Sequence, residues 1–155
     1  MSESTHALFK ALDFAFGTYT GTGVNHSGEA FAGTFKLEPV LAGRGFQIRY
    51  LATGADGVLY HAEHSLLAPD EHGHLCLWNF NSNAPGLLCH RLEAVKQDSQ
   101  SVAARFVYGT SGTLDTFREH ITLTVESDGA IGYAYAWGLP GEELAERSAL
   151  TMRRG

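Results

Sequence analysis

The chain has 155 residues and a formal net charge of −6, with its eleven Lys and Arg scattered singly except for Arg153-Arg154, so neither nucleic acid nor an anionic membrane surface is expected as a partner. A hydrophobic fraction of 44 % excludes a disordered chain, and a mean hydropathy of −0.11 with only short apolar runs excludes a membrane-spanning helix. One domain over residues 1–155 is expected, long enough to bury about two-thirds of its unfolded surface without disulfides or a structural metal.

The start, Met1 to His6, has neither a basic n-region nor an apolar h-region, so no secretory leader is expected. The first predicted element is a helix over Thr5–Leu12, capped by Ser4 or Thr5, with Leu8, Leu12 and Ala11 or Phe9 as its apolar stripe. On a sheet protein such a helix serves as a plug or lid.

Strands are then predicted at 17–25, 30–41, 45–53, 58–68, 74–82, 86–96, 101–109, 115–126, 130–138 and 144–154. Turn chemistry marks the joints: Ala42 to Gly45, Ala55-Asp56-Gly57, Pro69 to Gly73, Ala84-Pro85-Gly86, Ser127-Asp128-Gly129 and Leu139-Pro140-Gly141. Pro39 inside the second strand requires an edge position or a bulge. Gly21 and Gly23 mimic the opening of a dinucleotide fingerprint, but no helix follows, and they read as bend points of the first strand. No segment is helical enough to cross over a sheet. The fold class is therefore all-β, an antiparallel up-and-down barrel of about ten strands with a short N-terminal helix, wide enough for an internal cavity.

Folding each hairpin about its turn centre tests which side chains share a face. A centre at Ala55 pairs Tyr50 with Tyr60; one at Glu71 pairs His64 with Trp78 and Leu66 with Cys76; one near Ala84 pairs Trp78 with His90 and Phe80 with Leu88. The face holding Phe46, Ile48, Tyr50, Tyr60, His64, Leu66, Trp78 and Phe80 is thus expected to point inward. A turn at Ser127-Asp128-Gly129 pairs Leu123 with Tyr133, Ile121 with Tyr135 and Glu119 with Trp137; across Pro140-Gly141, Tyr135 meets Glu146. The same folding sets Cys76 across from Leu92 and Cys89 across from Asn79, so the cysteines are expected as separate free thiols of a reducing compartment, the cytoplasm.

His64, His90, Glu119 and Glu146 fall on this inner face. A buried carboxylate must pair, protonate or serve a ligand. The competing reading of each is a satisfied polar group, or a solvent-facing one if the register differs by a single residue. His61 and His64 lie three apart on a strand, point to opposite faces and cannot share an ion; His72 and His74 would make only a weak pair, so no metal site is expected. There is no nucleophile elbow, Cys–His arrangement or phosphate-binding loop.

Three passages carry a family resemblance. Phe16 to Gly23 resembles the G-x-W-x-G-x-G opening of nitrobindin-like and related lipocalin-like bacterial proteins, with Tyr19 in place of the tryptophan. Tyr60 to Asp70 resembles their fourth strand and turn, and Ser148 to Arg154 their closing strand with its terminal arginine. The resemblance implies a ten-stranded calycin barrel with a cavity, closed by its first and last strands, with Tyr19 packed under Arg153 or Arg154. It also implies, for nitrobindins proper, a haem-ligating histidine on the last strand. That position falls near Glu146-Arg147-Ser148, and no histidine follows His120, so the chain resembles the haem-free relatives and no cofactor is expected.

The leading reading is a barrel binding a small, mostly apolar aromatic or acyl molecule through Tyr50, Tyr60, His64, Trp78, His90, Glu119, Tyr133, Tyr135, Trp137 and Glu146. The alternatives are an enzyme using Glu119 or Glu146 with His64 as acid and base, a haem protein, and a structural module that forms a homodimer. What separates carrier from enzyme is whether the polar groups converge on one point.

Overall fold

The computed structural model describes residues 2–110 and 112–155. Ten antiparallel strands follow one another around a closed barrel, each bonded to its sequence neighbours, with the last strand returning to the first. They are β1 (Gly17–Val24), β2 (Ala30–Val40), β3 (Gly45–Gly54), β4 (Leu59–Pro69), β5 (Leu75–Asn81), β6 (Leu88–Gln97), β7 (Ser101–Tyr108), β8 (Arg118–Glu126), β9 (Ile131–Gly138) and β10 (Ala145–Arg154). The period-2 pattern therefore located the strands to within about two or three residues at most ends. Pro39 lies beyond the end of the β1 ladder, which starts at Gly17 opposite Leu37, so its missing N–H faces no partner strand on that side.

Helix α1 (Glu3–Asp13) begins earlier than the sequence predicts, because Ser2 rather than Ser4 or Thr5 is the cap, its side chain accepting from the Thr5 N–H at 3.2 Å. Leu8 and Leu12 are fully buried, and Phe9 meets the Phe46 ring edge-on at 5.0 Å. The helix packs on β6 and β7 and seals the end of the barrel where the β2–β3, β4–β5 and β6–β7 hairpins turn. Between the helix and the barrel's middle the lumen is solid: Phe35, Leu37, Phe46, Ile48, Leu67, Leu77, Phe106 and Ile121 are all fully buried. Each such side chain contributes on the order of 1.5–3 kcal/mol of burial free energy.

The seam is the junction of β1 and β10. Tyr19 pairs with Arg154 and Thr20 with Arg153, and Arg154 lies over the Tyr19 ring, 5.3 Å from its centroid, while donating to the Tyr19 hydroxyl at 2.7 Å. The expected arginine cover is present. Tyr19 in turn donates to the Ala15 carbonyl at 2.7 Å, tying the helix to the seam. Gly21 is required here: a Cβ would stand 2.3 Å from the Thr151 carbonyl oxygen, so β1 can approach β10 only without a side chain.

Two strands face the opposite way from the sequence expectation. β3 and β4 pair as Thr53 with Leu59 but Ala52 with His61, which leaves Tyr60 as an extra residue in a β-bulge. That one residue inverts β4: Glu63, Ser65 and Leu67 turn inward, and His64 and Leu66 turn out. β5 follows β4, so Leu77, Asn79 and Asn81 are inside while Trp78 is half-buried and Phe80 exposed. The β5–β6 loop then restores the parity, since Leu77 rather than Trp78 faces His90, and β6, β8 and β9 stand as predicted. The cysteines are likewise corrected. Cys76 lies opposite Arg91 and Cys89 opposite Trp78, so they are diagonal neighbours on the outer face, both free. Burial and the adjacent Cys89 push the Cys76 thiol up to about 12.

Candidate functional site

The end of the barrel away from the helix is open and holds a cavity of about 160 Å³. Its floor and walls are Tyr50 and Ala52 of β3, His61 of β4, Glu119 of β8, and Tyr135 and Trp137 of β9. The rim is Asn25 and His26 from the β1–β2 loop, Tyr60 at its bulge, Asn83, and Arg147 with Ser148 at the start of β10. Loop-to-loop bonds hold the rim in place. The His26 N–H donates to the Arg147 carbonyl at 2.8 Å, Tyr60 donates to Glu29 at 3.2 Å, and Asn83 donates to the Tyr60 carbonyl at 3.0 Å.

A second bulge shapes the β10 wall. Glu146 faces Ala136 and Ser148 faces Tyr135, with Arg147 as the extra residue between them. Arg147 bends over Trp137, its guanidinium carbon 4.3 Å from the ring centroid, and donates through Nε to the Trp137 carbonyl at 3.0 Å. His26 meets the same indole edge-on at 5.6 Å.

Beneath the cavity floor lies a buried polar cluster. Glu63 accepts from the Tyr133 hydroxyl at 2.7 Å and from the hydroxyls of Tyr135 and Ser65, and His61 Nε2 stands 3.5 Å from it. Asn79 donates to both Ser65 and Tyr135 at 3.0 Å, and Asn81 donates to Asn79 at 2.6 Å. Burial by itself would raise the Glu63 carboxyl; the contacts from His61, Ser65 and Tyr135 outweigh it and hold the group below the ordinary carboxylate value. Burial and the Glu63 charge push the Tyr133 and Tyr135 phenols well above theirs, so both remain donors. All of Glu63's donors are protein groups, which makes this cluster a foundation for the site rather than its reacting edge.

The other inward carboxylate is different. Glu119 Oε1 pairs with His90 Nε2 at 2.8 Å, His90 is fully buried, and His90 Nδ1 has no partner among the described residues. An imidazolium here would bury an N–H with no acceptor. The geometry therefore assigns the neutral tautomer with hydrogen on Nε2, donating to an ionised Glu119.

Of the residues the sequence singles out, Tyr50, Tyr60, Glu119, Tyr135 and Trp137 come together around the cavity. His90 backs Glu119, and Tyr133 lies one layer deeper under Glu63. His64, Trp78 and Glu146 are not inside: the Tyr60 bulge turns His64 and Trp78 to the outer face, and the β9–β10 loop sets Ala145 rather than Leu144 opposite Trp137, which leaves Glu146 exposed opposite Ala136. The acid–base set of Glu119, Glu146 and His64 therefore does not converge. Glu63, His61, Ser65 and Asn79 were missed. The only sequence signal for them is the alternation Trp78-Asn79-Phe80-Asn81, and hydrophobicity reads it with the wrong face inward. No group of three or more His, Cys, Asp or Glu among the described residues is placed to hold a metal ion. No helix among them is long and apolar enough to cross a membrane.

No protein-family model matches the chain, and no curated protein matches it. Among solved structures it is similar to Rv2717c from M. tuberculosis, with a TM-score of 0.74 at 14 % identity over 100 % of this chain and 99 % of that one. It is also similar to EF1p2_mFAP2b, in a structure bound to DFHBI, with a TM-score of 0.51 at 13 % identity over 95 % and 98 % of the two chains. At these identities the likeness is one of fold. These neighbours share with the chain the closed ten-stranded β-barrel fold.

Proposed function

We propose that the chain binds a small aromatic molecule in the open end of its barrel. The observation that carries this reading is the cavity of about 160 Å³ between the rings of Tyr50, Tyr135 and Trp137, set on a floor that needs no ligand to satisfy it. That volume is close to the roughly 150 Å³ cavity that takes up benzene in an engineered protein core, and below the 300–1,000 Å³ of sites for drug-sized ligands. The ligand is accordingly a single ring with a short substituent, not a long acyl chain. An affinity from about 1 mM to a few µM is the range for a compound of that size. EF1p2_mFAP2b, bound to DFHBI, is in keeping with a barrel used this way.

The haem alternative does not fit the residues present. The cavity is small, and the inward position at the start of β10 is Ser148. Of the two cavity histidines, His26 has Nδ1 at 3.3 Å from the Arg147 carbonyl, and His61, with Nδ1 at 3.0 Å from Asn83, turns its Nε2 toward buried Glu63 at 3.5 Å. A cytoplasmic, lipocalin-like carrier is the setting that the two free thiols suit.

The test is cavity filling. Ala52 lines the cavity and is nearly buried, so Ala52→Phe grows a ring into the void. Titration with phenol and benzyl alcohol, followed by tryptophan fluorescence and thermal shift, is expected to saturate for the wild type and not for Ala52→Phe. Equal binding by both proteins would overturn the reading.

A further inference from the structure

The chemistry of the cavity's unused groups says more about its ligand, granted the binding reading above. The one Lys or Arg among its lining residues, Arg147, is already committed. Arg147 is spent on the Trp137 carbonyl and, at 3.4 Å, on Glu142; Asn83 Nδ2 lies on the Tyr60 carbonyl and His61 Nδ1; His26 Nδ1 lies at the Arg147 carbonyl. An anionic ligand would find little there to neutralise it.

The acceptors are in the opposite condition. Glu63 is saturated, but among the described residues Glu119 receives a single bond, from His90 to Oε1, and Oε2 receives none. The Glu119 side chain keeps 8 % of its surface open on the cavity wall. With His90 neutral, as its buried and unpartnered Nδ1 requires, the Glu119 charge has no counter-ion in the pair itself. The rings of Tyr50, Tyr135 and Trp137 line the same cavity as this oxygen. One of these rings already accepts a cation within the protein, since the Arg147 guanidinium lies over Trp137. Electron-rich rings beside a desolvated carboxylate with a free oxygen are the elements of an ammonium receptor.

We propose that the cavity selects a small organic cation, a one-ring amine or protonated heterocycle, whose N–H group bonds Glu119 Oε2 while its body lies among Tyr50, Tyr135 and Trp137.

The experiment compares three probes of one shape and different charge at pH 7 by isothermal titration: benzylammonium, benzyl alcohol and benzoate. Benzylammonium is expected to bind at least about tenfold more tightly than benzyl alcohol, and benzoate more weakly than either, because a free carboxylate in a partly desolvated site favours charge-assisted donors and repels anions. In Glu119→Gln the preference for benzylammonium over benzyl alcohol should vanish, whatever affinity the two then share, since the amide still accepts from His90 and offers no net charge. Benzyl alcohol or benzoate matching benzylammonium on the wild type overturns the charge assignment and leaves the binding reading standing. A cation preference that survives in a folded Glu119→Gln overturns it as well. Should that variant fail to fold, the wild-type ranking decides alone. If none of the three probes binds, the ligand reading falls and this inference with it.

Discussion

Glu63 is the group on which the barrel's interior most depends, and Glu63→Gln measures it. The hydroxyls of Ser65, Tyr133 and Tyr135 all donate to this carboxylate, and His61 stands beside it. An amide keeps one acceptor oxygen but turns an NH2 toward groups that are themselves donors. At least one bond to a charged acceptor is lost, about 1.5–3 kcal/mol, and a buried donor left unmatched costs on the order of 1–3 kcal/mol more. The expected loss is about 3–5 kcal/mol, typical of breaking a buried polar network. At about 2–4 °C per kcal/mol for a chain of this size, Tm should fall by about 10 °C. The pH dependence has a fixed sign. The folded carboxyl is held below its ordinary value, so its stabilisation is complete above the unfolded value of about 4.3 and is lost as pH falls through the lower folded value. The gap between wild type and variant should therefore be constant from pH 6 to 8 and close below about pH 4. Thermal melts from pH 3 to 8 decide the matter. A variant within 2 °C of wild type at pH 7, or a gap that widens on acidification, would refute the reasoning.

Three further outcomes are expected. Arg154→Ala removes the cover and hydrogen bond on Tyr19, together with a bond to the Phe14 carbonyl, and should cost about 1–2 kcal/mol in a urea melt; no change would show that the β1–β10 seam does not need it. Gly21→Ala forces a methyl against the Thr151 carbonyl and should cost about 2 kcal/mol or more, visible as weakened hydrogen-exchange protection in β1 and β10 rather than elsewhere. Trp137 lines the cavity and Trp78 does not, so Trp137→Phe should abolish fluorescence quenching by a bound ring and Trp78→Phe should preserve it; the reverse result would move the site to the outer face.

The strand count and the Glu119–Trp137, Ile121–Tyr135 and Leu123–Tyr133 pairs were legible because turn residues and period-2 alternation are local signals, whereas the seam was expected from the family resemblance of the first and last strands. The site was legible only where a strand's parity could be counted from a tight turn. β9 follows the Ser127-Asp128-Gly129 turn, whose glycine has φ of 90°, and its inner residues stood where the sequence put them. β4 follows a bulge, and a bulge has no sequence mark of its own. Hydrophobicity could not correct the error, because the outer face of this sector carries Leu51, Leu66 and Phe80, each more than 40 % exposed, while the inner face carries Glu63, Ser65, Asn79 and Asn81. The inner polar residues satisfy one another, so the usual penalty that would expel them from a core does not apply.

The two bulges explain why the cavity forms at this end and not along the whole lumen. A regular strand alternates faces without exception, and a continuous inward row of large side chains fills the barrel, as it does from Phe46 and Leu67 up to Tyr133. At Tyr60 and Arg147 one residue leaves the ladder on each side of the opening. Tyr60 swings to the rim and bonds Glu29, and Arg147 swings over Trp137. The inward places they vacate pass to His61 and Ser148, a residue that rests on Glu63 and one too small to reach across. The void thus comes from the two bulges, while Glu119, Tyr135 and Trp137 border it from the regular β8–β9 ladder. Both insertions fall at the rim, where loop bonds rather than ladder bonds hold the chain, and the polar cluster below supplies the rigidity that the missing core side chains would otherwise have given.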